Sequence, residues 1–480
     1  MASLVPADRA LAAGDRFAAE IASLREAALS ELAISAGLIG RLAHEGEIAA
    51  IADCGWYDPE LGAVPAPDLA HASYLPTAAV VFYRSYLTSA DTAPIDELIR
   101  QLRGRGFEAI GLFAPSLKDP RAGGWLRDAL ALLRPALILN ATAFSARGAD
   151  GQSPLDMTGC PVFQVALSTS RRDDWAGSDR GLAPADLAMH VVLPEVDGRI
   201  FAGVISFKTP SPRDPELQFS RFVHYADKDR IAAVVARVAG WHRLAMTAAG
   251  DRRLALVLST YPGKAHQMAH AVGLDAVAST EAILGELAAN GYRVTPGSGI
   301  GRTLVDANSG SSTLSWSLKD YLAALDTLPP SRREALFAAW GDPTSDAAFR
   351  DGAFHFTAVT RGHALIALQP ERGDVSGRNA DYHDLARTPR HAYVAFYLWL
   401  RAEGLHALVH VGAHGTLEWL PGKSVALSEN CWPELLTGPL PVVYPFIVND
   451  PGEAAQAKRR IGAVTLGHLP PPLVPSAVPP

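Results

Sequence analysis

A multidomain α/β protein, built on doubly wound, mostly parallel sheets behind a helical lead-in, is what the sequence predicts. Three observations point there. The chain has 480 residues, more than one hydrophobic core usually serves, so several domains of roughly 100–200 residues are expected. From Thr77 onward, short apolar runs of buried-strand type alternate with helical stretches, and a second alternation begins at Arg253. Strands separated by helices of this length favour parallel pairing through right-handed crossovers. The expected units are a helical lead-in and linker over 1–74, a first α/β domain over 75–250, and a second α/β region over 251–480, incomplete at its C-terminal end.

From Arg9 to Ala43, apolar residues recur at three- and four-residue spacings with few breakers before Gly37, which predicts an amphipathic helix. The stretch DCGWYDPELGAVPAPDLAHASYLP is rich in Pro, Gly and Asp without a sustained period, and reads as an ordered loop. Ala78 to Tyr83, Phe107 to Phe113 and Ala136 to Asn140 read as strands, with helices over Ile95 to Arg105 and Ala122 to Leu133 between them. PVFQVAL, LAMHVVLP and RIFAGVISF add to this domain, and a helix over Lys228 to Ala249 leads out of it. The second alternation opens with the strand Arg253 to Ser259, followed by the loop TYPGKAHQ. A helix from Ser279 to Asn290 is expected next, capped by Ser279 or Thr280 and closed by Gly291. After a Gly- and Ser-rich stretch, two helices parted by Pro329 and Pro330 lie between Tyr321 and Trp340. ALIALQP, a helix over His391 to Ala402 and the strand LHALVHV complete the pattern.

Hydrophobic residues make up 48% of the chain and charged residues 19%, a balance that allows large cores and argues against extended disorder. The net charge is −7, and Lys and Arg are scattered, so no basic stripe offers itself to a nucleic acid. The three cysteines, Cys54, Cys160 and Cys431, form no CxxC pair, which argues against a disulfide framework and fits a cytoplasmic protein. No apolar run reaches the length of a membrane span, and the first residues carry charges where a signal peptide needs an apolar stretch.

Chemistry concentrates in Leu405 to Leu473, which holds His410, His414, Glu418, Lys423, Asp450, Glu453 and His468. The four-residue spacing of His410 and His414 would suit metal binding on a helix, but Leu408, Val409 and Val411 are strand-like and Gly412 and Gly415 are breakers. His410 is therefore expected at a strand end and His414 in the following loop, the place where open α/β sheets bind ligands. With Glu418 they form a candidate general-base or metal-ligand set, against the plain alternative of hydrogen-bonded structural side chains. LEWLPGKS imitates a P-loop, yet Leu417 stands where its first glycine belongs and Pro421 removes an amide from the phosphate cradle. PGSGIGR lacks dinucleotide-fingerprint spacing and reads as a loop. Tyr382, His383 and Asp384 could orient an imidazole, although a packed Tyr and a turn-forming Asp explain them about as well. In NDPGEAAQAKRR, Asp450 can cap a helix, Pro451 suits its first turn, Glu453 favours its positive end, and Lys458, Arg459 and Arg460 make a basic face. Cys431 is expected beside a helix start, with no partner thiol for a metal.

Five ordered blocks resemble the large subunit of cobaltochelatase and the related magnesium chelatase H subunit. They are VHVGAHGTLEWLPGKSVALSENCWPE, YPFIVNDPGEAAQAKRR, ALQPERG with DYHD, AVGLDAVASTEAIL after STYPGKAH, and the stretch from VVFYRSYL to SLKDP. The WLPGK and YPFIVNDPGE wording favours the cobalt family. The resemblance implies ATP-dependent insertion of cobalt ion, the substrate metal, into a corrin precursor, hydrogenobyrinic acid a,c-diamide, during cobalamin synthesis. ATP would be hydrolysed with Mg2+ by separate AAA+ partner subunits, not bound here. By motif position it carries over Glu418 and His414 as catalytic residues, His414, His410 and Glu418 toward the metal, and Lys423, Tyr382 and His383 toward the ring. Two departures stand out: Ala413 where the family usually has Lys, and Gly467 before His468 where it usually has Asp. The family's subunits are longer, so a second polypeptide completing the large subunit is expected. The alternatives are a truncated, noncatalytic tetrapyrrole- or partner-binding module, an H-type magnesium chelatase subunit, and a stand-alone metal-dependent hydrolase using the same His/Glu cluster.

Overall fold

A computed structural model of the protein describes residues 51–67, 74–148, 150–213, 218–259, 270–271, 274–308, 314–373, 384–412, 415–447 and 451–468. The lead-in helix expected over Arg9 to Ala43 and the TYPGKAHQ loop lie outside the described residues. The first half of the chain forms β1 (Gly55–Asp58), β2 (Gly62–Val64), β3 (Thr77–Tyr83), α1 (Ala93–Gly104), β4 (Glu108–Ala114), α2 (Pro120–Leu133) and β5 (Leu137–Asn140). Then come β6 (Val162–Leu167), β7 (Ile200–Pro210), β8 (Phe222–Ala226), α3 (Lys228–Met246) and β9 (Leu254–Leu258). A short pair, β10 (His270–Ala271) and β11 (Leu274–Asp275), precedes α4 (Ala276–Ala289), α5 (Ile300–Asn308), β12 (Leu314–Ser317), α6 (Leu318–Leu325) and α7 (Pro330–Trp340). The rest is β13 (Phe349–Arg350), β14 (Ala353–Phe356), β15 (Ala358–Arg361), β16 (Ala364–Leu368), α8 (His391–Ala402), β17 (Ala407–Val411), α9 (Trp432–Thr437), β18 (Val442–Ile447), α10 (Pro451–Ile461) and β19 (Val464–His468). This is the mixed α/β class that the alternation predicts, with mostly parallel strands interspersed with helices.

The chain divides into two compact units, one of Met1–Val162 with Ile205–Ile231, the other of Phe163–Val204 with Ala232–Pro480. In the first, β3 runs parallel to both β4 and β5. Leu126, Leu130 and Leu133 of α2 pack with Ala79, Val81 and Ile138 of those strands. The expected loop after Asp53 instead forms the antiparallel hairpin β1–β2, which pairs with β4. Its two-residue period is hidden because both faces are covered: Trp56 joins the core, and neighbouring Tyr57, also buried, donates its hydroxyl to Asp96 at 2.6 Å. Asp58 Oδ1 accepts the amides of Glu60 and Leu61, and Gly62 closes the turn at φ +76°.

The second unit is built on a six-stranded sheet in the order β15-β16-β9-β17-β18-β19, parallel throughout except for β15 at one edge. Its strands read as unbroken apolar runs because helices cover them; α8 buries every residue from His391 to Leu400. A small antiparallel sheet, β12-β14-β13, packs Phe354 and Phe356 into the same core. PVFQVAL and RIFAGVISF are β6 and β7, whereas LAMHVVLP winds as helical turns between Pro184 and Val196. Two local expectations are corrected. The cap of α4 is Asp275, whose carboxylate accepts the Ala278 amide at 2.9 Å, so the helix starts before Ser279. PGSGIGR opens α5, because Ile300 and Leu304 are buried one turn apart and the Ile300 amide finds Glu281 at 3.0 Å. Among the described residues no helix is long and apolar enough to cross a membrane.

Candidate functional site

Parallel strands deliver their carboxyl ends to one edge of the sheet. There β9 ends at Leu258, just before Ser259, β16 ends at Leu368, just before Gln369, and β17 ends at Val411, with His410 in register with Val257 of β9. His410 is fully buried, and its imidazole lies nearly parallel to the rings of Tyr444 (5.3 Å, 17°) and Tyr397 (6.3 Å, 16°). Burial without a compensating charge pushes its pKa down to about 4, so the ring is neutral at physiological pH. Its Nε2 lies 3.5 Å from the Tyr397 hydroxyl, and its Nδ1 has no hydrogen-bond partner among the described residues.

After β17 the chain turns through Gly415 and Thr416 into a single 3-10 turn, Leu417–Trp419, which carries Glu418 into the interior. Glu418 Oε1 accepts the Gly415 amide at 3.0 Å and the Tyr444 hydroxyl at 3.2 Å. Gly415 is closely surrounded. A Cβ at that position would meet Tyr444 Oη at 3.1 Å, Glu418 Oε2 at 3.3 Å and His410 Nδ1 at 3.3 Å. A neutral imidazole nitrogen, a carboxylate and a phenol therefore face one point, a combination suited to accepting protons and exchanging ligands.

A hydrogen-bonded frame holds this arrangement. Tyr393 and Tyr397, one turn apart on α8, both receive Gln369 Nε2, at 3.2 and 2.6 Å. Gln369 Oε1 accepts the Thr416 amide at 3.2 Å, and the Thr416 and Tyr393 hydroxyls lie 2.8 Å apart. Burial raises the pKa of both phenols, so they remain protonated donors.

Of the residues picked out from sequence, the structure brings together His410 and Glu418. Tyr382, His383, His414 and Asp450 lie outside the described residues, as does the side chain of His468. Lys423 is elsewhere: its ammonium donates to the carbonyls of Trp175 (2.6 Å), Ala176 (2.9 Å) and Ser178 (2.7 Å), and sits 5.0 Å from the centre of the Trp175 ring. Three protons meet three acceptors, so the cation anchors the turn after Glu418 to the 175–178 segment. Glu453 accepts the Trp419 indole at 2.9 Å. Cys431 is buried at the start of α9, where its sulfur accepts the amides of Lys423 and Ser428 at 3.3 Å each. The basic face expected on α10 is partly wrong, because Arg460 points inward and is buried. Sequence reasoning missed Gln369, Tyr393, Tyr397, Thr416 and Tyr444. The four-residue spacing of Tyr393 and Tyr397, two phenols in an otherwise apolar stretch of helix, was the available signal. Among the described residues no three His, Cys, Asp or Glu side chains cluster to hold a metal ion.

Comparison with known proteins gives the arrangement a context. Residues 36–479 match the CobN/Magnesium Chelatase family. The chain is 40% identical over 412 residues to the aerobic cobaltochelatase subunit CobN of a Sinorhizobium species, covering 83% of this chain and 32% of that protein. The H subunit of magnesium chelatase from Rhodobacter capsulatus is 28% identical over 453 residues, covering 89% and 38%. The solved catalytic subunit of cobaltochelatase from Mycobacterium tuberculosis superposes with a TM-score of 0.70 at 32% identity, over 88% of this chain and 36% of that one. The chain spans about a third of the length of these relatives. A match over so much of the sequence settles its kinship: the chain belongs to the CobN/Magnesium Chelatase family.

Proposed function

We propose that the chain is a large-subunit-like component of an ATP-dependent cobaltochelatase in the cytoplasm. It would hold a corrin precursor, hydrogenobyrinic acid a,c-diamide, and take cobalt ion as substrate, while separate AAA+ subunits hydrolyse ATP with Mg2+. The observation that carries this reading is the meeting of His410 Nδ1, Glu418 and Tyr444 Oη around Gly415. Metal insertion must strip water from the ion and remove protons from ring nitrogens. Burial keeps the His410 imidazole neutral at physiological pH, so a nitrogen lone pair is free to face the ion, while its low pKa makes it a weak base and leaves proton removal to the carboxylate. Under this reading Glu418 and His414 do the chemistry, His410, His414 and Glu418 face the incoming ion, and Tyr382 and His383 contact the ring. Lys423, carried over from the family as a ring contact, instead anchors the stretch that follows Glu418.

A second reading is a noncatalytic module that binds a tetrapyrrole or a partner. An H-type magnesium chelatase component is less favoured because identity falls from 40% to 28% between the two groups. The deciding experiment supplies the chain with the ATPase subunits, ATP, cobalt and a polypeptide covering the rest of the relatives' length. Cobalt insertion into the diamide supports the chelatase reading. Ring binding with no insertion supports the module, and insertion of magnesium into a porphyrin instead supports the H-type component.

A further inference from the structure

Within the turn that carries Glu418, the amides of Trp419 and Leu420 donate to the carbonyls of Thr416 and Leu417. The single 3-10 turn ends at Trp419 and Pro421 supplies no amide, and other carbonyls of this buried stretch take donors from outside the turn. Two arginines provide them. Arg460, on the last turn of α10, donates from all three guanidinium nitrogens: Nη1 to the carbonyl of Glu418, Nη2 to Leu420 at 2.8 Å, and Nε to Lys423 at 2.9 Å. Arg372, just beyond β16, donates to the carbonyl of Trp419 at 3.1 Å. It also reaches the carbonyls of Asp384 and, at 3.2 Å, Arg387. Both arginines are almost completely buried.

We propose that Arg372 and Arg460 are positioning residues, a pair of buried guanidinium groups that hold the Glu418 turn against His410 and tie it to the Asp384–Arg387 segment. Its catalytic half rests on the chelatase reading of the Glu418 site. A guanidinium suits the task because its fixed fork can satisfy several carbonyls at once, whereas an ammonium is a single point of attachment. Arg460 retains its charge at neutral pH, although burial lowers its pKa to about 10. Arg372 also links the Glu418 turn to the segment that directly follows Tyr382 and His383 in the chain. Neither arginine touches the point around Gly415, so their effect on insertion would pass through the position of Glu418. Misplacement of a reacting group by about 1 Å can cost on the order of 100-fold in rate.

The test is Arg460→Ala and Arg372→Ala in the full chain, with and without millimolar guanidinium chloride, against sodium chloride at equal ionic strength. Two quantities are read: amide hydrogen exchange across 415–424 and 384–387, and kcat and ring KM for cobalt insertion in the assembled chelatase. Arg460→Ala should speed exchange across 415–424 by about tenfold or more. It should also lower kcat by about 100-fold with KM within about threefold, and guanidinium but not sodium should restore both measures. Arg372→Ala should extend the faster exchange to 384–387. If an alanine variant does not fold, the corresponding lysine variant, which keeps the charge but not the fork, takes its place with the same expectations. Unchanged exchange in a folded variant overturns the clamp, whatever the wild type does with the ring. Faster exchange with unchanged kcat, or a change confined to KM, overturns the positioning role. A wild-type chain that neither binds the ring nor inserts cobalt defeats the chelatase reading and the catalytic half with it, while the exchange result still decides the clamp.

Discussion

The Tyr444 hydroxyl donates to Glu418 Oε1 at 3.2 Å while the ring of the same tyrosine lies 5.3 Å from the His410 imidazole. One side chain on β18 thus aligns a carboxylate from a turn with a base from β17. Tyr444→Phe keeps the ring contact and deletes the donor. Loss of that bond should lower unfolding free energy by about 1 kcal/mol in urea titrations. If Tyr444 fixes the reactive orientation of Glu418, cobalt insertion should slow by about 10–100-fold. An unchanged insertion rate would show that the hydroxyl serves packing alone.

Gly415→Ala probes the point on which the three polar atoms converge. The added methyl would sit 3.1–3.3 Å from Tyr444, Glu418 and His410, so the neighbours must give way. We expect a cost of about 1–3 kcal/mol in stability and loss of ring binding in fluorescence-quenching titrations. A folded variant that binds the ring as tightly as wild type would place the ligand elsewhere.

Acid should weaken the fold through His410. Its folded pKa, about 4, lies below the ordinary value of 6.5, so between these pH values the unfolded chain takes up a proton that the folded chain refuses. Stability is full above about pH 6.5, falls as pH drops toward 4, and loses no more from this group below that. A gap of that size corresponds to at most roughly 3 kcal/mol. Urea unfolding of wild type and His410→Phe at pH 7 and pH 5 measures the effect. The wild type should lose more stability between the two, and equal losses would contradict the assignment.

Lys423→Met separates anchoring from ligand contact. It strips the donors from three carbonyls and removes the cation from Trp175, so thermal unfolding should report a loss of about 2–4 kcal/mol. Ring affinity, measured well below the melting temperature, should stay within about threefold because the ammonium is engaged away from Gly415. A large loss of affinity in a stable variant would restore Lys423 as a ring contact.

Much of the second unit was legible because its signals are local. The apolar run ALVHV followed by glycines fixed both a strand and its end, and so placed His410 at the edge where Glu418 is also found. What was hidden depends on contacts distant in sequence. Arg460 looked like part of a solvated basic face because helical position says nothing about the carbonyls it reaches 37 to 42 residues away. Lys423 looked like a site cation because its partners, Trp175 to Ser178, lie 245 to 248 residues earlier. The β1–β2 hairpin escaped because Trp56 and Tyr57 are buried on opposite faces, which erases alternation.

Whether Glu418 performs the chemistry is decided by single-turnover cobalt insertion with Glu418→Gln, paired with ring binding by the same variant. Glutamine preserves the shape and can still accept the Gly415 amide and the Tyr444 hydroxyl, but it removes the charge. Near-normal ring affinity is expected, with an insertion rate reduced by about 100-fold or more. Insertion at the wild-type rate, with the ring bound as before, would remove Glu418 from the chemistry and contradict its proposed role.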